Sequence, residues 1–167
     1  NRSVHQVADV VARNRSGRPV GAWAVCSAHP VVLEAAMQQA ARDEGTLLVE
    51  ATANQVNQFG GYTGMNPLQF VRFVRDIAAR QGLGEDRVLL GGDHLGPVCW
   101  RHETADAAMA KARELVVDCV DAGFTKIHLD ASMPCRDDPR TLPEDTIAAR
   151  AAELCAAAER AAVERFG

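Results

Sequence analysis

TLLVEATANQVNQFGGYTGMNPLQF, residues 46–70, contains three kinds of sequence in succession. Residues 46–51, with Leu47, Leu48 and Val49 in succession, read as a strand, residues 52–66 have no helical period, and Pro67 opens a helix. The connection leaving the strand is long and rich in amides and glycines. The connection entering it, from a helix that ends near Gly45, is almost nothing.

The same grammar extends in both directions. Upstream, a strand over residues 21–26 leads to a helix opened by Pro30, with Leu33, Ala36, Met37 and Ala40 on its apolar face. Before it lies an amphipathic helix carrying Val4, Val7, Ala8 and Val11. The helix after Pro67 turns Phe70, Val71, Val74, Ile77 and Ala78 inward. Downstream, residues 87–91 form a third strand, followed by a loop through Pro97. A helix from Thr104 then buries Ala108, Ala112, Leu115, Val116 and Cys119, and Gly123 caps it. A fourth strand over 126–130 and a loop to Thr141 precede the last helix, where Thr141 and Glu144 have capping-box spacing. Its inward residues are predicted as Ile147, Ala151, Leu154, Cys155, Ala158 and Ala162.

The pattern is α(βα)4, an α/β fold with all strands parallel. Each strand ends in polar groups: Ser27 and His29, Glu50 and Asn54, Asp93 and His94, Asp130 and Ser132. A doubly wound sheet draws its ligand groups from the strands beside one switch point, whereas a barrel draws them from all strands. Four of four favours a (β/α)8 TIM barrel with strand order 1-2-3-4. Such barrels need about 250 residues, so the 167 residues read as one partial domain, the N-terminal half, with the other half expected elsewhere.

Composition narrows the functional classes. The 18 lysines and arginines are spread along a chain of net charge −4, so no basic stripe for nucleic acid is expected. No apolar run approaches the roughly 20 residues that span a bilayer, and a cytoplasmic protein without membrane contact is expected. Five cysteines without a C-x-x-C pair suit reduced thiols. Lys111 falls mid-helix, and Lys126 at the amino end of its strand is expected opposite the functional rim, which disfavours a Schiff-base lysine. No Gly-Lys dipeptide occurs, so a phosphate-binding P-loop is absent.

Four motifs can carry chemistry. In LLGGDHLGP (89–97), Asp93 is a candidate acid/base beside His94, a candidate metal ligand. Both can face one site only if the strand yields to loop there. The alternative is an Asp that caps a turn beside a His bound to a backbone carbonyl. In residues 50–64, Asn54, Gln55, Gln58, Gly60 and Gly61 offer amides and close backbone approach for sugar hydroxyls or phosphate, or structural bonds within the loop. In IHLDAS (127–132), His128 and Asp130 share a strand face, with Ser132 beyond, as a site pair or a buried ion pair. Cys26 and His29 form a weaker metal-binding pair.

Together, VCSAHP (25–30), VEATANQVNQFGGYTGM (49–65), LLGGDHLGP (89–97) and KIHLDAS (126–132) closely resemble the accessory, or Z-type, subunit family of D-tagatose-1,6-bisphosphate aldolase, over residues 10–163. The resemblance implies a (β/α)8 barrel and a catalytic aldolase subunit as partner in an oligomer. It also implies a sugar-phosphate ligand in galactitol, N-acetylgalactosamine or tagatose catabolism. Some members carry an older tagatose 6-phosphate kinase label, which these residues do not support. A more distant likeness to zinc-dependent class II aldolases implies Asp93 as the catalytic acid and His94 as a zinc ligand, the other two ligating histidines of those enzymes lying on later strands. Asn54, Gln55, Gln58, Gly60, Gly61, Asp130 and Ser132 are then the expected substrate contacts. Two other functions remain open: a metal-dependent ketose-phosphate epimerase or aldolase, and a half-barrel assembly module without a site.

Overall fold

The computed structural model describes residues 2–167, with side chains in the first helix from Val7 onward; the side chain of Val4 lies outside the described ones. The helix α1 (Arg2–Arg15) precedes four strand–helix units. These are β1 (Trp23–Cys26) with α2 (Pro30–Arg42), β2 (Leu47–Thr52) with α3 (Pro67–Arg80), β3 (Val88–Leu95) with α4 (Ala105–Ala122), and β4 (Lys126–Leu129) with α5 (Glu144–Phe166). The strands form one parallel sheet in the order β1-β2-β3-β4, as expected for successive units of a (β/α)8 barrel.

Alternation divides the sheet into two faces. Val49, Leu90 and Ile127 point toward the helices and join a core with Leu33, Met37, Phe70 and Leu115. Full burial of each such large side chain contributes about 1.5–3 kcal/mol. The opposite, inner face carries Glu50, Gly91 and Lys126, which the register sets in one row with Cys26. At the amino end of this face, α1 lies beside the sheet, and Val10, Val20, Leu48 and Leu89 line a cavity of about 630 Å³.

Helix starts follow local chemistry. Asn66 and Gln69 form a reciprocal capping box, each side chain accepting the other's backbone N–H at 2.9 Å, with Pro67 at the first helical position. At α4 the Thr104 side chain makes no cap; the Ala105 N–H instead donates to Asp137 Oδ1 at 2.7 Å, tying the β4–α5 loop to this helix. Gly123 takes the left-handed conformation (φ 106°) that ends α4.

Three expectations are corrected here. The third strand does not stop at residue 91 but continues to Leu95. The Thr141–Glu144 capping box does not form, because Pro143 occupies the cap position and Glu144 is the first helical residue. The buried line of α5 is Leu154, Ala157 and Ala161, and Cys155 is exposed. Alanine surrounds this helix on most sides, so periodicity alone leaves its rotation loosely determined.

Candidate functional site

The site begins with an irregularity in β3. Gly92 pairs with Ile127 and Leu95 pairs with Leu129, so two β3 residues, Asp93 and His94, stand opposite the single β4 residue His128. This is a β-bulge, and His94 occupies the left-handed region at φ 50°. The bulge, not a transition to loop, lets two consecutive side chains reach the same place. Just beyond, Gly96 permits close approach of β4: a Cβ there would sit 1.8 Å from the Asp130 carbonyl oxygen.

Asp93 is the centre of the arrangement. His128 Nδ1 lies 2.7 Å from its Oδ1, and His94 Nδ1 lies 3.1 Å from its Oδ2. The two imidazole centroids are 4.3 Å apart. Burial pushes the Asp93 carboxyl up, but hydrogen bonds to His128 and His94, with the charges of His94 and Lys126, outweigh it and bring its pKa down to about 2. In this state Asp93 is a carboxylate that accepts hydrogen bonds and holds both rings through Nδ1. Each ring then has Nε2 left for a ligand.

Beneath this group, Lys126 Nζ lies 3.7 Å from Asp93 Oδ1 and pairs with Glu50, whose side chain is 10% exposed. Lys126 is therefore not opposite the functional rim, as expected from its place in the sequence; its four-carbon stem carries the amine up the inner face. Engaged by two carboxylates, it is not presented to a substrate carbonyl. Cys26 completes the row. Burial, then the charge and hydrogen bonding of Asp93 and the charge of Glu50, raise its thiol to about 11 against the opposing effect of Lys126. Burial likewise raises Cys99 to about 11. Neither is a thiolate nucleophile at neutral pH.

The remaining predicted residues divide. Asp130 does not pair with His128. It lies past the end of β4, accepts from the Ser132 N–H at 2.9 Å and hydroxyl at 2.6 Å, and these bonds lower its pKa against burial, helped by the charges of His94 and His128. The Gln55 side chain folds back to accept from the Thr52 N–H at 2.8 Å and lies 3.7 Å from Cys26 Sγ, bordering the inner face. Asn54 Oδ1 accepts from the Cys99 thiol at 3.1 Å. Gln58 turns away and donates to the Lys111 carbonyl of α4 at 2.9 Å. The N–H groups of Gly60 and Gly61 are used within the loop, by the Asn57 carbonyl and Asn57 Oδ1 respectively. Buried Asn57 is the organiser here, also donating to the Ala53 carbonyl and accepting from the Phe59 N–H.

Among the described residues, Asp93, His94 and His128 form a group whose ligand atoms lie within 4.8 Å of one another. Two imidazoles held by a shared carboxylate are a donor set suited to a divalent metal. Cys26 and His29 are not part of that group. Reading the residues one motif at a time missed the Glu50–Lys126 pair and the partnership of Asp93 with His128. Period-two alternation within β2 and β4 was the signal that could have placed Glu50, Lys126 and His128 on one face. Among the described residues, no helix is long and apolar enough to cross a membrane.

Comparison with known proteins agrees with this architecture. A family model described as "D-tagatose-1,6-bisphosphate aldolase subunit GatZ/KbaZ-like" matches residues 7–167. The D-tagatose-1,6-bisphosphate aldolase subunit GatZ of Escherichia coli K12 is 55% identical over 155 residues, 93% of this chain and 37% of that protein. The GatZ subunit of Shigella boydii serotype 18 gives the same figures. A crystal structure from Sinorhizobium meliloti 1021, described as a "probable tagatose 6 phosphate kinase", is 56% identical with a TM-score of 0.82, covering 85% of this chain and 37% of that one. The chain thus spans little more than a third of the relatives it matches.

Proposed function

The chain belongs to the GatZ/KbaZ-like family of D-tagatose-1,6-bisphosphate aldolase subunits, and from that premise we propose that the protein is an accessory subunit of a class II aldolase of this kind. In this reading it acts in the cytoplasm, in galactitol, N-acetylgalactosamine or tagatose catabolism, and supports the activity or stability of a separate catalytic subunit in an oligomer. The observation that carries it is 55% identity to GatZ over 93% of the chain.

His94 and His128 would hold a divalent metal such as zinc through Nε2, with Asp93 fixing both rings. A bound metal supplies Lewis-acid polarisation of a ketose carbonyl. Asp93 keeps the imidazoles oriented and, as a carboxylate, can accept a proton from the reacting hydroxyl. Asp130, Ser132 and Asn54 offer hydrogen bonds to sugar hydroxyls at the rim, with Gln55 beside them. Gln58, Gly60 and Gly61 act indirectly, by holding the loop that positions Asn54 and Gln55. The residues present offer no P-loop for phosphoryl transfer from a nucleotide, since they contain no Gly-Lys dipeptide.

Co-expression with a catalytic aldolase subunit tests the proposal: aldolase activity or the thermal stability of the catalytic subunit rises, and no change in either removes the reading. A second reading, a metal-dependent ketose-phosphate epimerase or aldolase active without a partner, is favoured by one observation. A scaffold has no use for His94 in a left-handed conformation against Asp93. It requires turnover of ketose phosphates by the zinc-loaded protein alone, abolished in Asp93→Asn; absence of turnover eliminates it.

A further inference from the structure

Beside the β4–α5 loop lies a second cavity, of about 620 Å³, whose wall includes Arg101, Arg136 and Arg140 together with the hydroxyl residues Ser132 and Thr141. Three arginines on the wall of one cavity run against a chain of net charge −4. The acids around it are already engaged. Asp138, also on the wall, is held by both terminal nitrogens of Arg150 at 2.8 and 2.7 Å. Asp137 caps α4 through the Ala105 N–H, and Glu103 is paired with Lys111 at 2.5 Å. Arg101, Arg136 and Arg140 make no ion pair among the described residues.

A guanidinium fork matches a tetrahedral oxyanion, and several around one cavity select a multiply charged one over a carboxylate. We propose that this cavity binds a phosphate group, as free phosphate or as the ester of a phosphorylated sugar. Ser132 forms part of its wall and donates to Asp130, whose carboxyl feels the charges of His94 and His128. A phosphate seated there is therefore linked to the candidate site through the Ser132–Asp130 pair. The binding chemistry is independent of aldolase activity. Only the identity of the ester rests on the function proposed above.

The test is calorimetric titration of the metal-free chain at constant ionic strength with inorganic phosphate, fructose 6-phosphate and fructose. Phosphate and fructose 6-phosphate bind saturably, fructose does not, and Arg101→Gln/Arg140→Gln weakens both by roughly tenfold or more. All three arginines are exposed, so the fold is retained, which circular dichroism and a thermal melt verify; Arg136→Gln serves as a second variant. Tighter binding of fructose 6-phosphate than of phosphate, with the excess lost in His94→Ala, identifies a sugar phosphate reaching the Asp93 cluster. Equal affinities identify free phosphate. Unaltered affinity in the arginine variants, or no saturable phosphate binding, overturns the proposal, and neither outcome bears on the co-expression result.

Discussion

Glu50 on β2 and Lys126 on β4 pair across the intervening strand, in the space that Gly91 leaves open. A Cβ on Gly91 would lie 3.1 Å from Glu50 Cγ and Oε1 and 3.2 Å from Leu48 Cδ1. Three neighbouring strands thus share one side-chain layer in which the middle strand contributes only space. Gly91→Val fills that space and is expected to destabilise the chain by about 1–3 kcal/mol through overpacking. Urea denaturation measures this, and a cost under about 0.5 kcal/mol, the range of surface substitutions, would show that the pair does not need the gap.

At position 94 the usual order of glycine and alanine should invert. Within strands alanine is the better residue, but the left-handed backbone of His94 penalises any Cβ by roughly 1–2 kcal/mol. His94→Gly is expected to be about 1 kcal/mol more stable than His94→Ala in the metal-free chain. Both variants should weaken zinc binding. Equal stabilities in paired denaturant melts would mean that the bulge relaxes once the imidazole is gone.

Gly96→Ala places a methyl group on the Asp130 carbonyl oxygen, which as backbone cannot rotate away. The β3 and β4 ends must then separate, and the Asp130 N–H to Leu95 carbonyl bond of 2.9 Å is lost. The expected cost is about 3 kcal/mol or more. Amide exchange at Asp130 reads the separation directly: full protection in the variant contradicts it.

Arg150 hydrogen-bonds the Asp138 carboxyl and lowers its pKa, more than offsetting burial. The folded pKa is below the unfolded value of about 3.9, so the folded chain binds fewer protons at this group. Its contribution to stability is complete above about pH 4 and is lost as the pH falls through the folded pKa. Tm profiles from pH 6 to pH 3 should therefore have a shallower acid limb in Asp138→Asn than in the parent chain. Identical limbs would remove Asp138 as a contributor.

The element order and strand order were legible in the sequence because apolar period, Pro67 and Gly123 all point the same way. Asp93 and His94 were legible for a similar reason, since glycines and a proline flank a charged pair at a strand end. What hid the rest was register. That Glu50, Gly91 and Lys126 form one row depends on how three strands slide past each other, and no single segment encodes it. Gln58 looked like its neighbouring amides because composition does not reveal direction; its partner, the Lys111 carbonyl, is 53 residues away.

The bulge at Asp93 and His94 also means that the site depends on a count as well as on residue identities. With one residue fewer between Gly92 and Leu95, β3 would resume strict alternation and its ladder to β4 would close without a gap. Only one residue would then stand opposite His128, so Asp93 and His94 could not both be present, although Gly92 and Leu95 would keep Ile127 and Leu129 as partners. A single-codon deletion there would be a small edit to the strand and a complete one to the candidate site. Transplanting this constellation onto another parallel sheet would correspondingly require an insertion of one residue, which substitutions alone cannot supply.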